Sequence, residues 1–170
     1  SIEEQLAGQQ RPTQFGQIVS EGMGYWMKIL TSAARRLDPA KREDKELLRK
    51  YQEVFNGLVR GTIAMINDNP SGLPGWRCYY NPELKKIEFR SKQEHASATD
   101  ADLHIADALM DAEFLANEGS FEASPEFQYG EIKLDYTGLT NHFASRIKAY
   151  DVEKMNGRHI LRVSDMWGSR

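Results

Sequence analysis

Apolar residues recur along this chain in stretches too long for strands and at the spacing of helices. In "VSEGMGYWMKILTSAARRLD", Met23, Trp26, Met27, Leu30, Ala34 and Leu37 fall on one helical face. Ser20 stands where an N-cap belongs, and Arg35 and Arg36 stand near the end where cations are favoured. Asp38 and Pro39 read as cap and first turn of a second helix over residues 39–67, with Leu47, Leu48, Tyr51, Val54, Phe55, Leu58, Val59 and Ile63 in its stripe. A third helix is predicted from Thr99, turning Leu103, Ala106, Leu109, Met110 and Phe114 inward, and a fourth over residues 129–150. Between them, "NDNPSGLPG" and "NEGSFEASPEF" are rich in turn formers and read as loops. "WRCYY" and "KKIEFRS" around "NPEL" read as a surface hairpin, and the tail "GRHILRVSDMWG" as a strand or an extended pass over a helical core. No internal repeat interrupts this picture of one mainly helical domain over residues 1–170.

Composition narrows the partners. The 22 Lys and Arg against 25 Asp and Glu give a formal charge of −3, without the basic footprint that nucleic acid or an anionic membrane selects. No apolar run approaches the ~20 residues needed to cross a bilayer, and residues 1–15 are too polar for a signal-peptide core. The chain starts at Ser1, so the expectation is that an N-terminal segment has been removed, and an export signal could have gone with it. The single cysteine, Cys78, excludes an internal disulfide and a cysteine zinc cluster, and reads as a half-buried small side chain beside Trp76 and Tyr79. The four histidines are too scattered for a zinc site, and Asp107 and Asp111 read as exposed acids of an amphipathic helix. No metal and no cofactor are expected.

The candidate chemistry lies in two acidic helix starts. In "SATDADLHIADAL", Thr99 and Asp102 match a T-x-x-D helix start, which accounts for Asp102 by capping and leaves Asp100 less explained. In "SEGMGY", Glu21 fits ordinary first-turn chemistry, but Gly22 and Gly24 each cost about 1 kcal/mol against alanine inside a helix, so something is expected to approach the backbone there. A carboxylate beside small residues, Tyr25 and Trp26 is a plausible floor for a sugar, whose apolar faces stack on rings while its hydroxyls need charged partners.

With these stretches quoted, the chain resembles glycoside hydrolase family 8, the inverting endoglucanases and chitosanases built on an (α/α)6 barrel. "VSEGMGYWM" is similar to the segment with the proton-donating glutamate, which falls on Glu21; "SATDADLHIADALMDA" is similar to the family signature, whose first aspartate falls on Asp100. "RVSDMWG" and "LPGWRCYY" resemble segments carrying sugar-stacking tryptophans, here Trp167 and Trp76. The sequence departs from the pattern at Trp26, where a glycine is usual, and at Ala116, where an aromatic closes the signature, with Phe114 nearby.

The resemblance implies a mainly α fold forming part of an (α/α)6 helical toroid with a small β-hairpin, covering the N-terminal half of a catalytic domain. It implies endo-acting hydrolysis of β-1,4-linked glycans, cellulose-like β-glucan foremost. Glu21 would be the acid, Asp100 would orient the sugar, and Tyr25, Trp76, Asp102 and Trp167 would contact it. Inversion also needs a base roughly 6.5–9.5 Å from the acid. No residue of this sequence matches the family's base, and Asp165 belongs to the stacking-loop motif. The expected partners are an oligosaccharide or polysaccharide and a second chain, or a second copy, completing the barrel, because part of a toroid exposes inner apolar faces. The family also implies a secreted or periplasmic location. The alternatives are a carbohydrate-binding or scaffold protein derived from such a hydrolase, and a generic helical interaction domain.

Overall fold

The structure, a computed structural model, describes residues 16–66 and 69–165. Four helices carry the fold: α1 (Ser20–Ala34), α2 (Arg42–Ile66), α3 (Thr99–Asn117) and α4 (Tyr136–Tyr150). The short strands are β1 (Gln17–Val19), β2 (Arg77–Asn81), β3 (Lys86–Glu88), β4 (Phe127–Tyr129), β5 (Ile132–Leu134), β6 (Val152–Met155) and β7 (Arg158–Leu161). The expected hairpin is β2–β3, and β1 pairs with its free edge to make a three-stranded antiparallel sheet in the order β1-β2-β3.

Phe55, Val59, Met27, Leu30, Ile105, Leu109, Leu115, Tyr136 and Phe143 fill one core shared by all four helices. Tyr136 closes it, with its ring edge-on to Phe55 at 5.6 Å and its hydroxyl bonded to Asn56. Burial holds that phenol up at about 12. The second helix starts later than expected. Asp38 caps a turn instead, its Oδ1 accepting from Ala40 N at 3.0 Å. Residues 127–134 are a hairpin rather than helix, because Gly130 turns the chain in the left-handed region (φ 57°) and Asp135 starts α4 by accepting from Gly138 N at 2.8 Å. The tail's apolar stretch is the return strand of the β6–β7 hairpin, turned at Asn156 (φ 49°) and Gly157 (φ 77°). Positive φ at both central residues is what an Asn-Gly pair supplies at little cost.

The principal contact is between α1 and α3. A Cβ on Gly24 would lie 2.9 Å from His104 Cβ and 3.2 Å from the Ala101 carbonyl, so the body that approaches this glycine is the neighbouring helix. Lys28 bridges Asp107 at 2.5 Å and Asp111 at 2.8 Å, and Arg35 reaches Asp111 at 2.5 Å, so the two acids serve the helix pair.

The inward face of α3 differs from the expected one. Ala101, Ile105, Ala108 and Ala112 are buried, whereas Leu103, Met110 and Phe114 are exposed. Likewise Gly24, Met27, Thr31 and Ala34 of α1 face the core and Trp26 is 60% exposed. At the crossing Gly24 meets Ala101, His104 and Ile105, while Trp26, Leu103, Met110 and Phe114 turn outward. Ser20 is not a cap, since the N-cap of α1 is Val19; nor is Thr99, since the N-cap of α3 is Ala98, and neither helix has a side-chain cap bond.

Gly24→Ala should destabilise the chain by about 1–3 kcal/mol through overpacking, despite a helix-propensity gain of about 1 kcal/mol. Gly22→Ala, whose Cβ would meet only Val19 Cγ2 at 3.4 Å, should be neutral or stabilising. Urea denaturation of both variants checks the contrast.

Candidate active site

Three backbone strands are stitched together where α1 and α3 begin. Ser20 N donates to the Trp76 carbonyl at 3.0 Å, and Trp76 N donates to the Ala96 carbonyl at 2.7 Å. Thr99 N is satisfied by the Val163 carbonyl at 3.2 Å. Carbonyls of other segments thus take the amides at which both helices start, in place of side-chain caps. Glu21 and Asp100, each second in its helix, are both exposed. Tyr25 links them. Its pKa is raised, chiefly by Glu21 one helical turn back, with burial and then Asp100 contributing less. The ring packs on His104 of α3 at 4.9 Å. Glu21 is thus the acid nearest this phenol in effect, and the charge of Asp100 reaches it more weakly.

Trp76 is half-buried and fixed from two directions. Its Nε1 donates to the Gln93 carbonyl at 2.9 Å, and the Arg77 guanidinium lies 4.3 Å from the ring centroid. Arg77 is itself held by buried Glu94, with bonds of 3.1 and 3.0 Å to Oε1. With one ring face occupied, Trp76 lines a pocket of about 230 Å³ together with Ala96, Ser97, Ala98, Val163 and Ser164. Cys78 behind it is fully buried, and burial first, then the Glu94 charge, pushes its thiol up to about 12, so it is a packing residue and not a nucleophile.

Asp102 does not join this open face. It exposes no surface, so a sugar contact by its side chain is not available in this structure, and it caps nothing. It lies against Asp151, at the end of α4, which is also fully buried, and near Asp165. Burial first, then the Asp151 charge, pushes Asp102 up to about 9; burial and then Asp165 push Asp151 up to about 6. Both Asp102 oxygens and Asp151 Oδ2 are buried without a donor from the rest of the protein, so at neutral pH the pair holds a proton between them. Helical geometry carried a signal for this: residues two apart point roughly 200° apart around the axis, so Asp100 and Asp102 cannot share one groove. The participation of Asp151 had no local signal. Trp167 lies outside the described residues. Among the described residues no group of three or more His, Cys, Asp or Glu side chains could hold a metal ion, and no helix is long and apolar enough to cross a membrane.

Two solved structures share this architecture. Endoglucanase Cel10, a family 8 glycosyl hydrolase from Klebsiella pneumoniae, superposes with a TM-score of 0.54 at 19% identity, covering 89% of this chain and 37% of that one. A family 8 endo-β-1,4-glucanase from an Achatina fulica gut metagenomic library gives 0.56 at 18% identity, covering 94% and 39%. The chain has part of the family 8 glycosyl hydrolase fold. Its four helices and small hairpins match a portion of that (α/α)6 barrel, and it spans well under half the length of either enzyme. No protein-family profile matches the sequence, and no curated protein does.

The raised value of Asp102 has a stability consequence with a definite sign. A carboxyl whose folded value lies above its ordinary 3.8 favours the folded state fully at acid pH, and that contribution is lost as pH rises through about 9. The melting temperature should therefore fall between about pH 5 and pH 9, and Asp102→Asn should flatten the decline; differential scanning calorimetry across that range checks it.

Proposed function

We propose that this chain supplies the acid side of an inverting β-1,4-glycan hydrolase site, with cellulose-like β-glucan as the foremost substrate. The observation that carries this reading is the partial family 8 fold, in which Glu21 and Asp100 stand exposed at the starts of α1 and α3, two helices that pack together through Gly24. Glu21 is positioned to hand a proton to the leaving glycosidic oxygen. Asp100 holds sugar hydroxyls and favours a distorted ring, while Tyr25 and Trp76 offer apolar platforms and Trp167 would add another. Breaking the bond with inversion requires a second, ionised carboxylate to take a proton from the attacking water on the far face of the sugar. No residue of this sequence matches that base, which the rest of the barrel would supply.

The exposed apolar face supports the need for a partner. Trp26 and Ile29 of α1 and Leu103, Met110 and Phe114 of α3 point away from the core, between 40% and 60% exposed. Full burial of each would gain on the order of 1–2 kcal/mol. Patches of this kind mark surfaces that become covered. The alternative, a sugar-binding scaffold without turnover, is favoured by the same partial span of the fold. Reducing-end release measured beside oligosaccharide titration separates the two, since a scaffold binds without generating new ends.

Glu21→Gln should lower β-glucan hydrolysis by the complete assembly by a factor of roughly 10² or more while leaving oligosaccharide binding intact. Unchanged turnover would remove Glu21 from the role. Light scattering should give a mass above that of the 19.4 kDa monomer, and Trp26→Ser combined with Met110→Ser should reduce it.

A further inference from the structure

The last described segment, residues 162–165, is tied by hydrogen bonds to the start of α3 and the end of α4, and its Ser164 is buried. Ser97 N donates to Asp165 Oδ1 at 2.8 Å, and Asp165 N donates back to Ser97 Oγ at 3.1 Å. Thr99 N donates to the Val163 carbonyl, and Arg162 N to the Asp151 carbonyl at 2.7 Å. Little apolar burial reinforces these bonds, since every residue of β7 is exposed and Val163 is 70% exposed. Beneath them three carboxyl groups from three elements converge: Asp102 of α3, Asp151 at the end of α4 and Asp165 of the segment itself. Ser97, whose Oγ also lies 3.5 Å from Asp151 Oδ1, sits among them. Among the described residues none of the three is in an ion pair; Arg162, the neighbouring cation, points its Nε toward Glu153 of β6 at 3.9 Å.

We propose that the Asp102–Asp151 pair is a proton-operated latch: sharing one proton, it holds residues 162–165 against the start of α3, and losing that proton it releases them and opens the pocket beside Trp76. Two facing carboxylates in one buried site cannot both be ionised without solvent or a cation. When the shared proton leaves, the structure must admit water, and the cheapest route is the element with the least burial. That element is the β6–β7 hairpin with its trailing segment, not the helical core, where Phe55, Tyr136 and Phe143 remain packed. Val163 and Ser164 form one wall of the Trp76 pocket, so release removes that wall. Asp102 acts here as a positioning residue, and the latch does not depend on hydrolase activity.

Amide hydrogen exchange of the intact chain at about pH 5, 7 and 9, corrected for the intrinsic pH dependence of exchange, tests this. Protection of residues 97–99 and 158–165 should drop by about tenfold or more between the first and last condition, while α2 keeps its protection. Asp102→Asn, whose amide can donate to Asp151 at every pH, should keep the segment protected throughout. Protection that ignores pH, exchange that rises equally in α2, or a variant that opens like the wild type would each overturn the latch. Should the variant fail to fold, the Asp102 side-chain carboxyl resonance of the wild type decides: a group still protonated at neutral pH supports the latch, and titration in the ordinary carboxylate range overturns it.

Discussion

The structure depends on how closely α1 and α3 cross. Gly24 lies against Ala101 and His104, and no larger residue could occupy its place without separating the helices. That contact fixes how α1 lies against α3, and it brings Lys28 and Arg35 within reach of Asp107 and Asp111. The glycine lowers helix propensity by about 1 kcal/mol, and the packing it permits is worth more. The candidate site is thus a consequence of a packing constraint two to four residues away from it. The same constraint explains why the acids are free: neighbouring carbonyls satisfy the helix amides, and the carboxylates are not consumed as caps.

The molecule treats its acids in two opposite ways within one turn of helix. Asp100 is exposed on the open face, whereas Asp102 is enclosed with Asp151 and must hold a proton to be there. A buried neutral carboxyl pair stabilises the fold less than a well-packed apolar cluster of the same size would. What it adds is a condition: the end of α4, the start of α3 and the segment after β7 meet only when a proton is present. The Trp76 pocket is bounded on one side by that conditional contact, and on the other by the rigid Arg77–Glu94 pair that fixes the indole.

Local chemistry made much of this legible in the sequence. The starts of α1 and α3, the existence of α2 and the β2–β3 hairpin follow from apolar spacing and turn formers, whereas α2 starts three residues late and Cys78, read as half-buried, is fully buried. Elements whose signal is a two-residue turn were harder to see. The Asn156–Gly157 pair between alternating residues specifies the β6–β7 hairpin, and Gly130 does the same for β4–β5, but each lies beside an apolar run that also fits a helix or an extended pass. Strand β1, three residues long, exists only because β2 offers it an edge. The buried acid cluster was illegible because its members come from three elements joined only in the folded chain.

The misread face of α3 has the most physical content. Its periodicity has two apolar stripes, one of large residues (Leu103, Met110, Phe114) and one of small ones (Ala101, Ala108, Ala112) with Ile105. A rule that weights side-chain size turns the first stripe inward. Helices that nearly touch need the second between them, because interaxial distance is set by the side chains at the contact. A helix apolar on both sides is one meant to be covered on both sides. Helix α1 repeats the pattern, with Gly24, Met27 and Thr31 inside and Trp26 and Ile29 outside. A toroid built from such helices would cover both outward stripes.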